Sequence, residues 1–340
     1  MPEKMSDTAA APVAANQAQN ESPVAAAREP LSVRAGTAGA RRRKRETLFR
    51  GLDDGKDETN ASLLFFNLFV FSIRFILKIL GIYGRGVRNT RKLQLVHRDI
   101  FLPDLPEAFE GFQILHISDF HFPRRFPAFS KAVAALLDGL EVDMCALTGD
   151  FRYGYFGPID HVPVQMRAAL KGVTSRYGVY AVLGNHDRFV TGELLESAGV
   201  TVLYNEGVLI EKAGNALWVA GIDDPHFYRC DDLDAALRER PENTSAVLLA
   251  HSPERVSQAA AKGVNLYLAG HTHGGQIRFP VIGALVSNSR CARNQIWGTW
   301  HCNGMAGYTT AGIGATDVPV RFNCPPEAAL LTLRKATTEE

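Results

Sequence analysis

Apolar and polar positions divide the chain into three unequal parts. From Met1 to about Ala40 the sequence is Ala, Pro, Glu, Gln and Ser without aromatic residues or periodicity, which predicts a disordered tail. The basic run "RRRKRE" (Arg41 to Glu46) follows, and then the loop-like "DDGKDETN"; taken alone, such a charge run reads as a solvated extension. The second part, "SLLFFNLFVFSIRFILKILGIY" (Ser62 to Tyr83), is 22 residues of mostly Leu, Ile and Phe. From about Phe109 onward, short apolar runs alternate with helical stretches. The division expected is therefore residues 1–60 as a disordered basic tail, 61–92 as a membrane-associated amphipathic helix and 93–340 as the folded domain.

In the third part, strands are expected at Phe112–Ile117, Met144–Leu147, Gly178–Leu183, Ala216–Ile222, Ala246–Ala250, Leu266–Ala269, Pro319–Phe322 and Ala328–Leu333. Helical periodicity lies at about Ala128–Leu140, Pro163–Gly172, Thr191–Ala198, Leu233–Arg240 and Pro253–Lys262. Alternation of this kind predicts an α/β domain with helices covering sheet, and strand runs with little polar alternation predict burial on both faces. No segment repeats at a fixed period.

The apolar stretch is long enough to span a bilayer, which takes about 20 residues. Arg74 and Lys78 inside it each cost about 2.5 to 3.5 kcal/mol near a bilayer centre, while its 15 apolar side chains return roughly 0.3 to 0.6 kcal/mol each. Insertion comes out near balance, so position decides. At about 100° per residue, Asn67, Arg74, Lys78 and Arg85 fall within about 40° of one another, one polar stripe on an apolar cylinder. That layout suits a helix lying in the membrane interface. Both flanks are basic, so no charge bias favours spanning. The expectation is a peripheral, monotopic anchor on the cytoplasmic face of a bacterial inner membrane, held by apolar burial and anionic lipid, with a single-pass helix as the alternative. No cleavable secretory signal is visible.

Composition sharpens this division. The net charge of +1 conceals 17 Lys/Arg against 10 Asp/Glu in residues 1–99, and 20 against 26 in the remainder. An acidic main domain argues against a nucleic-acid partner, since non-specific affinity comes from neutralising phosphates. With 340 residues and 46% hydrophobic content, the chain has ample material for a core. Five cysteines without CxxC spacing suggest neither a disulfide framework nor a thiolate zinc site.

The chemistry lies just after the strands. Five successive strand exits carry "ISDFHF" (Asp119, His121), "LTGDFR" (Asp150), "LGNHDR" (Asn185, His186, Asp187), "LAHSPE" (His251) and "AGHTHGG" (His271, His273). Strand ends are where α/β sheets place ligands. Each piece alone reads as a turn or a helix cap, but five such coincidences in order do not. In extended backbone, residues two apart point to the same side, which would bring His271 and His273 into one space. Carboxylate, amide and imidazole without thiolate suit divalent metals that also coordinate phosphate oxygens, such as Mn²⁺, Fe²⁺, Zn²⁺ or Mg²⁺. Seven side chains are too many for one ion that keeps a position open, and two ions fit the number.

The ordered set Asp-x-His, Gly-Asp, Gly-Asn-His-Asp, His and Gly-His-x-His, running from about Gln113 to Leu333, resembles the calcineurin-like metallophosphoesterase superfamily. "GHTHGGQ" and the closing "VRFNCPPEAALLTL" further resemble its YkuE-like, membrane-associated bacterial branch, near UDP-2,3-diacylglucosamine pyrophosphatase of lipid A biosynthesis. The resemblance implies a four-layer α/β/β/α sandwich and a dinuclear phosphohydrolase, with Mn²⁺ the favoured metal. Asp119, His121 and His273 would hold one ion, Asp150 would bridge, and Asn185, His251 and His271 would complete the second. His186 would meet the leaving oxygen, with Asp187 as its partner or support. Arg124, Arg125 and Arg152, which follow two of the motifs, are candidates for gripping a second phosphate. His226 and His116 read as structural. The substrate expected is a phosphorylated small molecule or a lipid-linked one such as UDP-2,3-diacylglucosamine. Alternatives are a phosphodiesterase or nuclease acting on a soluble nucleotide, and a non-catalytic membrane adaptor. Neither motif nor composition bears on the oligomeric state.

Overall fold

In the computed structural model of this protein, residues 28–53, 59–125, 127–316 and 318–336 are described, with side chains outside 49–67 and 69. Four helices come first, α1 (Leu31–Arg34), α2 (Gly36–Asp53), α3 (Thr59–Ile79) and α4 (Tyr83–Asn89). A first βα series follows: β1 (Gln94–Leu102), β2 (Gln113–Ile117), α5 (Ala128–Leu137), β3 (Glu141–Val142), β4 (Met144–Leu147), α6 (His161–Ala169), β5 (Thr174–Ser175), β6 (Val179–Ala181), α7 (Phe189–Glu196) and β7 (Thr201–Val202). The second contains β8 (Glu206–Lys212), β9 (Asn215–Gly221), α8 (Leu233–Leu237), β10 (Ser245–Leu249), α9 (Val256–Ala261) and β11 (Leu266–Ala269). A hairpin, β12 (Arg278–Phe279) and β13 (Gly283–Ala284), precedes β14 (Gly298–Cys302), β15 (Met305–Thr309) and the returning β16 (Glu327–Lys335).

Two six-stranded sheets result, with orders β1-β16-β2-β4-β6-β7 and β14-β15-β11-β10-β9-β8. Their inner strands β2, β4 and β6, and β9, β10, β11 and β15, are parallel. Ile114, Met144 and Leu331 of one sheet meet Val219, Val247 and Leu268 of the other in a buried layer between them. The outer face of the first sheet is covered by Val133, Met166 and Leu195 of α5, α6 and α7. The outer face of the second is covered by Ala236 and Ala259 of α8 and α9. This is the expected α/β/β/α sandwich.

Several expectations change. Pro319–Phe322 forms no strand: Phe322 makes only a bridge to Ile277, and Val320 is buried against Leu77 of α3. β1 and β8 were not anticipated, because their half-exposed edge positions interrupt the apolar run. The tail expectation is corrected over residues 31–53, which are helical; the parts at 1–27 and 54–58 lie outside the described residues. Leu31 and Ala35 join the core that covers the first sheet, and Arg42 in the basic run is fully buried. Apolar contact for α1 and a paired guanidinium in α2 hold down a segment whose composition alone gives no reason to fold.

Among the described residues no helix is long and apolar enough to cross a membrane. α3 instead packs Val70, Ile73 and Leu77 against Val318, Val320 and Phe322, while Phe71, Phe75, Ile76, Ile79 and Leu80 remain exposed.

Candidate metal centre

The loops leaving β2, β4, β6, β10 and β11 converge, and backbone bonds tie them together. Asp119 N donates to Gly149 O (3.0 Å), His121 N to Asp150 O (2.9 Å) and Gly270 N to His251 O (2.9 Å). Little space separates the strands. A Cβ on Gly184 would strike the Asp150 carboxylate, and one on Gly270 would strike Ser118 Oγ. Glycine is required at both because the backbone itself forms the wall of the site.

Asp119, His121 and His273 each bring a ligand atom to within 4.8 Å of the others; so do Asp150, His251 and His271, and so do His121, Asp150 and His186. All are buried. Asp150 Oδ2 lies 3.6 Å from His121 Nε2 and 3.3 Å from His251 Nε2, between the two clusters, as a bridging ligand would. Asn185 Oδ1 reaches His251 Nε2 at 3.0 Å. The seven side chains expected to bind metal are thus brought together.

Strand alternation does not bring His271 and His273 together. β11 ends at Ala269, and the two residues have φ of 68° and 50°, so a left-handed turn, not strand alternation, aims them inward. Asp119 (54°), His121 (44°) and Asp150 (55°) share this conformation. Such backbone costs roughly 1 to 3 kcal/mol per residue and concentrates at functional sites.

The imidazoles are set up as lone-pair donors. His251 Nδ1 donates to Thr148 O (2.6 Å) and His121 Nδ1 to Arg152 O (3.2 Å), which frees Nε2 in both. His271 donates from Nε2 to Asn288 O (2.8 Å), leaving Nδ1. His121 Nε2 stands 3.1 Å from His273 Nε2. Two inward nitrogens so close, beside the buried Asp119 and Asp150, form a donor set that a cation completes.

The remaining expected residues divide. His186 presents Nε2 to the same space, 3.9 Å from Asp150 Oδ2, and its backbone N–H donates to Asp150 Oδ1 (2.8 Å). Asp187 is turned to the backbone: its carboxylate accepts from Asp150 N (2.8 Å), Phe151 N (3.0 Å) and Gly184 N (2.9 Å). It supports the loops rather than the His186 ring. Arg152 is buried, with its guanidinium held by Phe156 O, while Arg124 and Arg125 are exposed on a turn.

The sequence from residue 112 to 275 matches the calcineurin-like phosphoesterase family. The chain is 31% identical over 250 residues to the Bacillus subtilis protein described as uncharacterized metallophosphoesterase YkoQ, covering 71% of this chain and 90% of that one. The chain belongs to the calcineurin-like phosphoesterase family. It is also 31% identical to phosphodiesterase YaeI of Escherichia coli (70% of this chain, 86% of that one). Identity to uncharacterized metallophosphoesterase YkuE of B. subtilis is 27% (68% and 82%). Among solved structures, NAD nucleotidase of Haemophilus influenzae shows a TM-score of 0.40 and 16% identity, covering 60% of this chain and about half (51%) of that one. As a family member the protein is a metal-dependent hydrolase of phosphoesters, and its His/Asp clusters fit two divalent ions.

Electrostatics in this phosphoesterase site suit a bound cation. Burial, reinforced by neighbouring Asp150, pushes the Asp119 carboxyl up to about 7. Burial opposes charge on His251 too, yet Asp150 and Asp119 raise it to about 10, a proton that a cation would displace. Burial, with the adjacent His186, brings His121 down to about 3, which keeps its lone pair available. His226, expected to be structural, pairs with Glu254 (2.6 Å) and lays its ring 4.3 Å from that of His271. His116 is a core histidine bonded to Thr148 Oγ1 (2.9 Å).

Three residues of the site carried no sequence signal. Tyr155 stacks on the His186 ring at 4.0 Å and accepts from Asn185 Nδ2 (3.0 Å). Arg321, fully buried, donates to Ala311 O, Gly312 O and Gly314 O beneath His273. Arg42 donates to Gly184 O (3.1 Å) and Asp187 O (2.7 Å), the two ends of the Asn185–His186 loop.

Proposed function

We propose that the protein cleaves a phosphodiester or pyrophosphate bond of a membrane-associated substrate, with UDP-2,3-diacylglucosamine as the leading candidate, at the cytoplasmic face of a bacterial inner membrane. The observation that carries the membrane part is α3, docked on the domain by one face and apolar on the exposed one. A relative named phosphodiesterase supports the diester class.

In this reading Asp119, His121 and His273 would hold one ion and Asn185, His251 and His271 the other, with Asp150 placed to serve both. Mn²⁺ is the favoured metal. Divalent ions bound there would supply Lewis acidity toward phosphoryl oxygens and would lower the pKa of a water so that it can act as hydroxide near neutral pH. The chain's own part is to hold the substrate in line and to manage the leaving group. Tyr155 presses the His186 ring over the site, so that Nε2 meets the leaving oxygen. Asp187 fixes the Asp150 and Gly184 loops against each other and thereby sets that geometry.

The test is to purify the full chain in detergent with Mn²⁺ and assay a generic diester, a monoester and UDP-2,3-diacylglucosamine side by side. Release from the diester and the nucleotide-lipid, well above the monoester, is expected. No release from any of them, with metal content confirmed, overturns the enzymatic reading in favour of an adaptor. Release from the soluble diester alone overturns the lipid-linked one.

A further inference from the structure

The segment joining β12 to β13, "RFPVIGALV", takes no part in metal binding, and its apolar side chains face outward. Phe279, Val281, Ile282, Leu285 and Val286 are all exposed, Val281 completely. Val281 also has φ of 68°. A β-branched residue is rarely held in the left-handed region, and a tip strained in a way that presents valine to the outside marks a functional feature rather than loose chain.

Two observations say what covers this tip. Ile277, at the foot of the hairpin, belongs to the same apolar cluster as Val70, Ile73 and Leu77 of α3, so hairpin and helix stand on one side of the molecule. Both lie in stretches without acid: Asn60 to Arg98 holds no Asp or Glu, nor does His271 to Thr316, although the chain from residue 100 onward is net acidic. The exposed charges in these stretches are basic, among them Lys78, Arg85, Arg88 and Arg91 around the helix, and Arg290 and Arg293 around the hairpin. Arg293 donates to Ile282 O (2.9 Å) and Ala284 O (3.2 Å), which places a guanidinium at the collar of the tip. Apolar points inside a basic collar match an anionic lipid surface, hydrocarbon for the points and headgroup phosphate for the collar.

The hairpin is also tied to the site. Arg278 Nη1 donates to Gly274 O (3.0 Å), and Asn288 O accepts from His271 (2.8 Å), so both ends hold the loop that carries His271 and His273. We propose that the β12–β13 hairpin inserts into an anionic bilayer and, together with the exposed face of α3, seats the metal centre at the headgroup level. This rests on the membrane reading above and not on the identity of the substrate.

The test is flotation of the full chain with vesicles of phosphatidylcholine alone or with about one-third phosphatidylglycerol. Three proteins are compared: the parent, V281D/I282D, and F75D/I79D in α3. The parent is expected to float with the anionic vesicles and to be released by salt. V281D/I282D is expected to lose at least tenfold in binding while hydrolysing a soluble diester at the parental rate. If it floats like the parent while F75D/I79D does not, the membrane reading survives and the hairpin proposal is overturned. If the parent fails to float, both are overturned, and a dimer on size exclusion that V281D breaks would assign the tip to a second copy of the chain. A V281W variant provides a milder probe should the double substitution impair folding. Quenching of its added fluorescence by brominated lipid is expected, and no quenching overturns the proposal.

Discussion

At the residue scale, the metal centre depends on side chains that differ in what they touch. Asp187 accepts from three buried backbone donors, whereas the His186 side chain ties no loops together and faces the site with Nε2; its one bond between loops is made by its backbone N–H, which alanine keeps. His186→Ala is therefore expected to retain two equivalents of metal and lose about 10²- to 10⁴-fold in turnover, the usual worth of a positioned proton donor. Asp187→Ala leaves those donors without partners, at about 1 to 3 kcal/mol each. It should lower the melting temperature and metal content together, and elemental analysis beside thermal unfolding separates the two behaviours. A second expectation concerns His116, which burial brings from an ordinary 6.5 down to about 3. The unfolded chain binds that proton first as pH falls, so the contribution to stability is complete above about pH 6.5 and is lost progressively toward pH 3. His116→Gln should flatten the acid limb of stability by up to about 1.4 kcal/mol per pH unit over that window; denaturant midpoints measured across it would show an unchanged slope if the ring were not neutral. The seven candidate ligands were legible in sequence because their residue types recur at strand exits. The left-handed backbone of five of them, Asp119, His121, Asp150, His271 and His273, was not, since Asp and His carry no marker for it as glycine does.

At the element scale, the largest departure from the sequence reading is α2. Its basic run looks like a solvated charge block because only one of its arginines turns inward, which no periodicity reveals. Arg42 donates to Asp223 (2.6 Å), to Glu46 (3.0 Å) and to the two carbonyls of the Asn185–His186 loop, and lies 3.5 Å over the Tyr228 ring. Burial disfavours its charge, but Asp223 and Asp224 more than offset this and hold it protonated. Arg42→Met strands Asp223 as a buried carboxylate and should cost about 3 to 5 kcal/mol. Arg42→Lys, with a point charge in place of the fork, should recover only part of it. Urea unfolding measures both, and equal stability of Met and parent would deny the buried pair its role. Sequence patterning served better inside the domain, where continuous apolar strands and amphipathic helices announce themselves. It failed at Pro319–Phe322, whose apolar residues are spent on α3 rather than on a sheet neighbour.

At the scale of the whole molecule, two sheets present the ends of their parallel strands to one rim, and helices on both outer faces leave that rim open for ligands. βα alternation made an α/β domain readable, while the pairing of two sheets in a sandwich was implied by the family resemblance. The coupling of the rim to an exposed apolar side was not readable, because it depends on where α3 and the β12–β13 hairpin come to rest. The central claim is that seven side chains from five strand exits hold a pair of cations, with Asp150 shared between them. Elemental analysis of the full chain after saturation with Mn²⁺ and removal of the excess tests it most directly. Two equivalents per chain are expected, falling below one in Asp150→Asn. One equivalent or fewer in the parent, or an Asp150→Asn variant that keeps both, would contradict it.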